Sequence, residues 1–451
     1  MFWTWIFNAL RLASGILLIP LLYRFLSEPD LDMYSLFFVL TGFLFTFDQM
    51  FSVTIARNVG YAMQGITDIQ AQGIATVEEK GSGPNEELLG QLLSSTKRVY
   101  RYMALGILVL LGIGGTLLLL PNFPQTSSPT VARIAWIITI ISACLELYTG
   151  YWLVFLRGVN QIVVSARLST LIFSIKLLLS VALLLSGAGL LAVPISTLIT
   201  GILQRLLART YLLRLLPKNV REDSSRDGEL IRAIWPNTWR TGLILLSINL
   251  MMTAFGKLIT WKWGLGAFYP YHFSYQILYA VCMNMAAVWT VVKWPIICQL
   301  RAVNDHVGVQ RIVWPRIWLQ LLTFVVMSAG FIIFGPPVLK WIAPEKALLP
   351  RIWLVILAVY AFLEMHYIFW TTLIATENRI PSLWAVVFTN IASVIVAALL
   401  MEYTSLGIGS FVVGPLVCGL VVNFWFWPKM GAETLRTRWF PFMLRRTALM
   451  E

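Results

Sequence analysis

The chain has 451 residues, of which 58% are hydrophobic and 12% charged, and its formal net charge is +13. Soluble domains carry roughly 25% charged residues, so this composition cannot cover a water-exposed surface and points to an all-α integral membrane protein. The positive charge lies in short loops between apolar runs, not on one soluble domain, which argues against a nucleic-acid partner.

Apolar stretches of the length that crosses a ~30 Å hydrocarbon core run over 5–25, 33–57, 99–120, 131–156, 164–186 and 188–209. A second set follows at 236–257, 267–299, 313–335, 350–373, 380–401 and 408–428. The first run has neither a charged n-region nor a small-residue cleavage site, so it reads as a retained span. No segment alternates as a barrel strand does. About twelve transmembrane helices are therefore expected.

Between the second and third spans, the 58–98 connection is polar, with Asp68, Gln70 and Gln72 ahead of a Gly-Ser-Gly-Pro run at 81–84. Between the sixth and seventh, the stretch from Arg214 to Arg232 divides the spans into two sets of six. The expected organisation is an N-terminal six-helix lobe (1–212), a connection (213–235), a C-terminal six-helix lobe (236–428) and a basic tail (429–451). Two bundles around a central path are common among transporters.

Sidedness follows from the 34 Lys and Arg. Arg24, Arg133, Lys257, Lys262, Lys340, Lys346 and Arg351 fall on one side, and Arg11 and Lys176 lie within spans. All the others crowd the opposite side, which the positive-inside rule makes cytoplasmic, together with both termini. The 19 Trp and 15 Tyr read as anchors at the two membrane–water interfaces. Cys144, Cys282, Cys298 and Cys418 form no CxxC pair, so neither a metal site nor a redox dithiol is expected.

Ionisable groups inside a membrane are costly and mark ion or substrate paths. Arg11, Arg24, Arg57, Arg240, Lys257 and Lys293 are the candidate cations, and Asp48, Glu146, Glu364 and His366 the candidate ion-coupling groups. Each also has a structural reading. Arg24, Lys257 and Lys293 sit where a long side chain snorkels to an interface, and Asp48 and Arg57 suit pairing between helices. Glu364 and His366, two residues apart, face different sides of their helix. Because cations outnumber anions, a basic central cavity that receives an anionic phosphate or pyrophosphate headgroup is expected.

The segment Phe47-Asp48-Gln49-Met50-Phe51-Ser52-Val53-Thr54-Ile55-Ala56-Arg57 resembles the end of the second span in Wzx-type polysaccharide flippases of the MOP superfamily, with Gln49 and Met50 near the place of the family's glycine. Asn8-Ala9-Leu10-Arg11 and Pro20-Leu21-Leu22-Tyr23-Arg24 are similar to the family's first span. Leu363-Glu364-Met365-His366, Ala375-Thr376-Glu377-Asn378-Arg379-Ile380-Pro381 and Arg157-Gly158-Val159-Asn160 are similar to its tenth span and its turns. The resemblance implies a MOP fold in a bacterial inner membrane, moving an undecaprenyl-diphosphate-linked saccharide to the periplasmic leaflet. It further implies drive by an H+ or Na+ gradient, no bound cofactor, and association with other polysaccharide-assembly membrane proteins and membrane lipids.

No P-loop is present, which suits a secondary transporter. A membrane glycosyltransferase or ligase is disfavoured because the outer loops are short and hold no carboxylate pair for sugar chemistry. A MATE-like drug or metabolite antiporter of the same fold remains open, as does a scaffold without transport.

Overall fold

The computed structural model describes residues 24–73, 83–216, 220, 222–263, 267–342 and 348–436, together with scattered positions among residues 3–22. Among the described residues 11 helices are long and apolar enough to cross a membrane. The expected first span, with Arg11, lies largely outside them.

Most of the helices are longer than the apolar runs that reveal them, because polar residues cap and extend their ends, whereas the expected 408–428 is divided between Ser410–Val421 and Asn423–Thr434. Helix α1 (Glu28–Ala62) starts at Ser27, whose hydroxyl accepts from the Asp30 amide, with Pro29 in the first turn. Helix α2 begins at Glu86 behind an Asn85 cap that accepts from the Leu88 amide. It runs through Val109, turns π-helical over Leu110–Gly115 and closes with Thr116–Leu119. Then follow α3 (Pro129–Gly158), α4 (Ile162–Leu185), α5 (Ala192–Leu215) and α6 (Asp227–Trp263).

Helix α7 is α-helical over Phe268–Gln276, π-helical over Ile277–Met283 and α-helical again over Asn284–Val291. The expected single span 267–299 is interrupted at Lys293, and α8 (Trp294–Ala302) restarts with Pro295 in its first turn. Proline is tolerated there because that amide has no helical partner anyway. The chain continues with α9 (His306–Ile342), α10 (Arg351–Ala375), α11 (Leu383–Tyr403), α12 (Ser410–Val421) and α13 (Asn423–Thr434).

Two compact units form: Met1–Ala71 with Ala75–Thr238, and Gln72–Ile74 with Trp239–Glu451. In the first, α3 packs against α1, α2 and α5. Gly158 lets α3 approach α1 closely, since a Cβ there would stand 2.6 Å from Val59 Cβ and 2.9 Å from the Ala56 carbonyl. The same unit holds the start of α6 against α2. Asp227 accepts from Ser95 Oγ at 2.9 Å and Ser94 Oγ at 3.2 Å, and pairs with Arg98 at 2.8 Å. Lys97 meets Glu222 at 2.6 Å, and Gln91 donates to Asp223 at 3.2 Å. A span starting near 236 was expected, but these contacts anchor the helix from Asp227 and leave Pro236 inside it.

The second unit is locked at one end by Arg301, which is buried. It donates to the Thr434 carbonyl at 2.7 Å and to Thr434 Oγ1 at 2.8 Å, and pairs with Glu377 at 3.0 Å. This joins α8, the α10–α11 turn and α13. Three helices stop in one way, with an asparagine in the left-handed region just past the end: Asn160 (φ 64°), Asn304 (φ 56°) and Asn378 (φ 58°). Asparagine and glycine tolerate that conformation. Past the first two, the Gln161 amide reaches the Leu156 carbonyl at 2.8 Å and the Asp305 amide reaches that of Leu300 at 2.9 Å.

Candidate functional site

The most convergent intramembrane group is in the second unit, around Glu364 of α10. Its carboxylate is 8% exposed and accepts from the phenol hydroxyls of Tyr279 and Tyr360. Tyr360 is one turn earlier on the same helix. Tyr279 comes from α7, where the π-helical segment carries it. Such segments break the regular ladder and often sit at functional sites. Tyr275 stacks on Tyr279 with ring centroids 3.9 Å apart at 16°, and Tyr271 follows at 6.2 Å and 25°. Tyr271 Oη donates to the Phe411 carbonyl at 3.3 Å, and Phe424 closes the group against Tyr360 and Tyr367.

A carboxylate in hydrocarbon is costly unless donors solvate it, and two phenols do this here. Protonation turns the acid into a donor itself, so the two phenols then compete for fewer acceptor sites. The site thus has two hydrogen-bonding states, and one partner sits on a segment of irregular helix.

His366 points elsewhere. Its Nε2 accepts from Trp370 Nε1 at 3.0 Å within α10, so it packs against that indole and does not join Glu364. The first unit has its own half-buried carboxylate, Asp48 of α1, which accepts from Tyr100 Oη of α2 at 2.9 Å. Gly150 of α3 faces the pair, and Arg157 and Glu146, also on α3, lie within Coulombic reach of Asp48. Glu146 itself is exposed.

The candidate cations do not gather into one cluster within either unit. Arg57 is buried in the first unit. Arg24 is exposed, its guanidinium 5.8 Å from the Phe25 ring centroid. In the second unit, with the Gln72 amide turned so that its oxygen faces the guanidinium, Arg240 donates to it at 2.6 and 3.0 Å, and Arg240 lies 5.6 Å from the Trp239 ring centroid. Lys257 is exposed and stands about 25 Å from Arg240 along α6, at ~1.5 Å per residue. Lys293 sits half-buried at the α7–α8 break. Among the described residues no group of three or more His, Cys, Asp or Glu is arranged for a metal ion.

The tyrosines were not singled out from sequence, where they read as interfacial anchors. Their spacing carries the signal: Tyr271, Tyr275 and Tyr279 recur every four residues, and Tyr360 precedes Glu364 by four, so each set shares a helix face.

No family model matches the sequence, and no curated protein matches it. Solved structures do resemble it. An outward-facing multidrug-resistance MATE-family transporter of the MOP superfamily aligns with a TM-score of 0.74 at 14% identity, over 97% of this chain and 95% of the other. A MATE protein in a bent conformation aligns with a TM-score of 0.71 at 15% identity, over 96% and 94%. A MOP superfamily transporter from Pyrococcus furiosus, described as having a binding pocket of reversed polarity, aligns with a TM-score of 0.71 at 15% identity, over 97% and 95%. At such identities the likeness establishes the fold.

Proposed function

We propose, from the premise that this multi-pass membrane chain has the MOP transporter fold, that it is a secondary transporter in which Glu364 carries the coupling proton. The observation that carries this reading is the enclosure of Glu364 by phenol donors from α7 and α10. Gain or loss of one proton rearranges hydrogen bonds to an irregular helical segment, and an ion gradient biases the equilibrium between the two arrangements.

For the cargo we propose an undecaprenyl-diphosphate-linked saccharide, moved from the cytoplasmic to the periplasmic leaflet of a bacterial inner membrane for surface polysaccharide assembly. The excess of intramembrane cations supports this, since guanidinium groups suit a diphosphate. A binding pocket of reversed polarity is described for the Pyrococcus furiosus protein of the same fold, so the fold by itself does not fix the charge of the cargo. Arg57 is the proposed diphosphate contact of the first unit, and Arg240 is the separate candidate of the second.

A second reading, antiport of an organic cation, is favoured by one specific observation. Stacked tyrosines beside a carboxylate are the chemistry of an ammonium site. The deciding experiment uses proteoliposomes holding a fluorescent lipid-diphosphate saccharide, with uptake of an aromatic cation measured in parallel. Leaflet translocation that falls in Arg57→Ala and Arg240→Ala supports the flippase. Cation uptake without lipid translocation replaces it with the antiporter.

A further inference from the structure

The polar loop that follows α1 is pinned where it reaches the second unit. Gly73 has φ 80°, a left-handed conformation that suits glycine, and there it meets Asn378 in both directions. The Gly73 amide donates to the Asn378 carbonyl at 3.4 Å, and Asn378 Nδ2 donates to the Gly73 carbonyl at 3.1 Å. Gln72 and Gly73 thereby belong to the second unit, although Ala71 belongs to the first. This short strap carries the Gln72 side chain to Arg240 of α6. A guanidinium donates and never accepts, so the amide presents its oxygen, 2.6 and 3.0 Å from the two Nη groups.

Several guanidinium groups at the Lys/Arg-rich end have carboxylate partners. Arg98 pairs with Asp227, Arg226 with Asp68 and Glu229, and Arg301 and Arg379 with Glu377. Among the described residues Arg240 has none. Its acceptor is a neutral amide on an exposed side chain, while Arg240 itself is half-buried beside Trp239. Two Nη donors converging on one oxygen is also how a guanidinium grips an oxyanion, which brings charge and a second oxygen in addition.

We propose that Gln72 is a built-in competitor at the anion site of Arg240, its amide oxygen holding the guanidinium until a diphosphate displaces it. This rests on Arg240 serving the cargo headgroup, and it adds a control on that same site. The exposed Gln72 amide swings into water and is solvated there, while Gly73 and Asn378 keep the strap backbone in place. Arg240 is open only in the fraction of molecules with Gln72 swung away, so the apparent affinity for the anion is reduced by that fraction.

Binding to the full chain in nanodiscs tests this, with two probes in separate arms. Inorganic pyrophosphate in the buffer is read by calorimetry, and undecaprenyl diphosphate in the bilayer by native mass spectrometry. In both arms Gln72→Ala is expected to tighten binding about tenfold, and Gln72→Glu, a charged competitor, to weaken it about tenfold. Both shifts vanish when Arg240→Ala is added. Opposite shifts at one exposed position are the mark of a competitor. A residue that merely positions Arg240 gives weaker binding in Gln72→Ala too, and that result overturns the proposal. Equal affinities of Gln72→Ala and the parent overturn it as well, as does tightening that survives Arg240→Ala. Shifts with pyrophosphate alone uphold the competitor and remove the lipid-linked cargo. Arg240-dependent binding of undecaprenyl diphosphate with no effect of Gln72 upholds the cargo and removes the competitor.

Discussion

Replacing Asp227 by alanine removes the acceptor that fastens the start of α6 to α2. The carboxylate is 1% exposed and takes three donors, Ser94, Ser95 and Arg98. Arg98 is 44% exposed and regains water on release, so its ion pair contributes about 0.5–1 kcal/mol. Ser95 is buried, and orphaning its hydroxyl costs about 1–3 kcal/mol. The total loss is about 2–4 kcal/mol, which at ~2–4 °C per kcal/mol for a unit of this size lowers Tm by about 4–16 °C. Thermal unfolding followed by size-exclusion chromatography measures it, and hydrogen exchange at residues 227–235 shows the helix start fraying. A double-mutant cycle with Ser95→Ala isolates the contact. Ser95→Ala is expected to destabilise the parent and to recover part of the loss in the Asp227→Ala background, where it removes the orphaned hydroxyl. Equal effects of Ser95→Ala in both backgrounds, or an unchanged Tm in Asp227→Ala, would refute the reasoning.

Three further outcomes are expected. Gly158→Ala forces a Cβ against Val59 and the Ala56 carbonyl and is expected to cost about 1–3 kcal/mol by overpacking. Val59→Ala is expected to recover only part of it, because the backbone oxygen cannot withdraw; full recovery in the Tm of the double variant would contradict this. The hydroxyl and amide of Ser225 hold the Asp223 carboxyl below the usual carboxylate range, with Gln91 assisting. A depressed folded value means this contribution is fully present above the unfolded-state range and is lost as pH falls through the folded one. The α2 contact of residue 223 is therefore constant at neutral pH and weakens only in strong acid, as the Tm difference between the parent and Asp223→Asn, flat near neutral pH and shrinking in strong acid, checks. Tyr279→Phe removes one donor to the Glu364 carboxylate, and it is expected to move the pH profile of transport to higher pH while total protein and folding stay constant.

The spans were legible because lipid solvation imposes a long apolar run on every crossing helix, and that constraint outweighs local sequence detail. The ends were less so. Pro236 reads as a helix start, yet five polar side chains of α2 hold residues 222–227 and draw the helix back to Asp227. The π-helical stretches at 110–115 and 277–283 are as hydrophobic as their flanks, so hydropathy does not separate them. The Asn160 and Asn378 turns follow helix ends that sequence already marked, and Asn304 repeats them at the end of α8. Glu364 was legible as an intramembrane acid. Its phenol donors were not, because a tyrosine in a span is usually an interfacial anchor, and only the four-residue spacing on α7 separates this set. Arg240 shows the opposite difficulty. It reads as a cavity cation, while its partner, Gln72, lies in a distant loop that sequence proximity does not reveal.

The central claim is that Glu364 carries the coupling proton. In proteoliposomes under an imposed pH gradient, proton flux and cargo translocation are measured together for the parent and for Glu364→Gln, which keeps the shape and accepts from one phenol. The account predicts that the variant loses both the proton flux and its dependence on the gradient, while cargo still equilibrates down its own gradient. Gradient-driven transport at the parent rate in Glu364→Gln would contradict it.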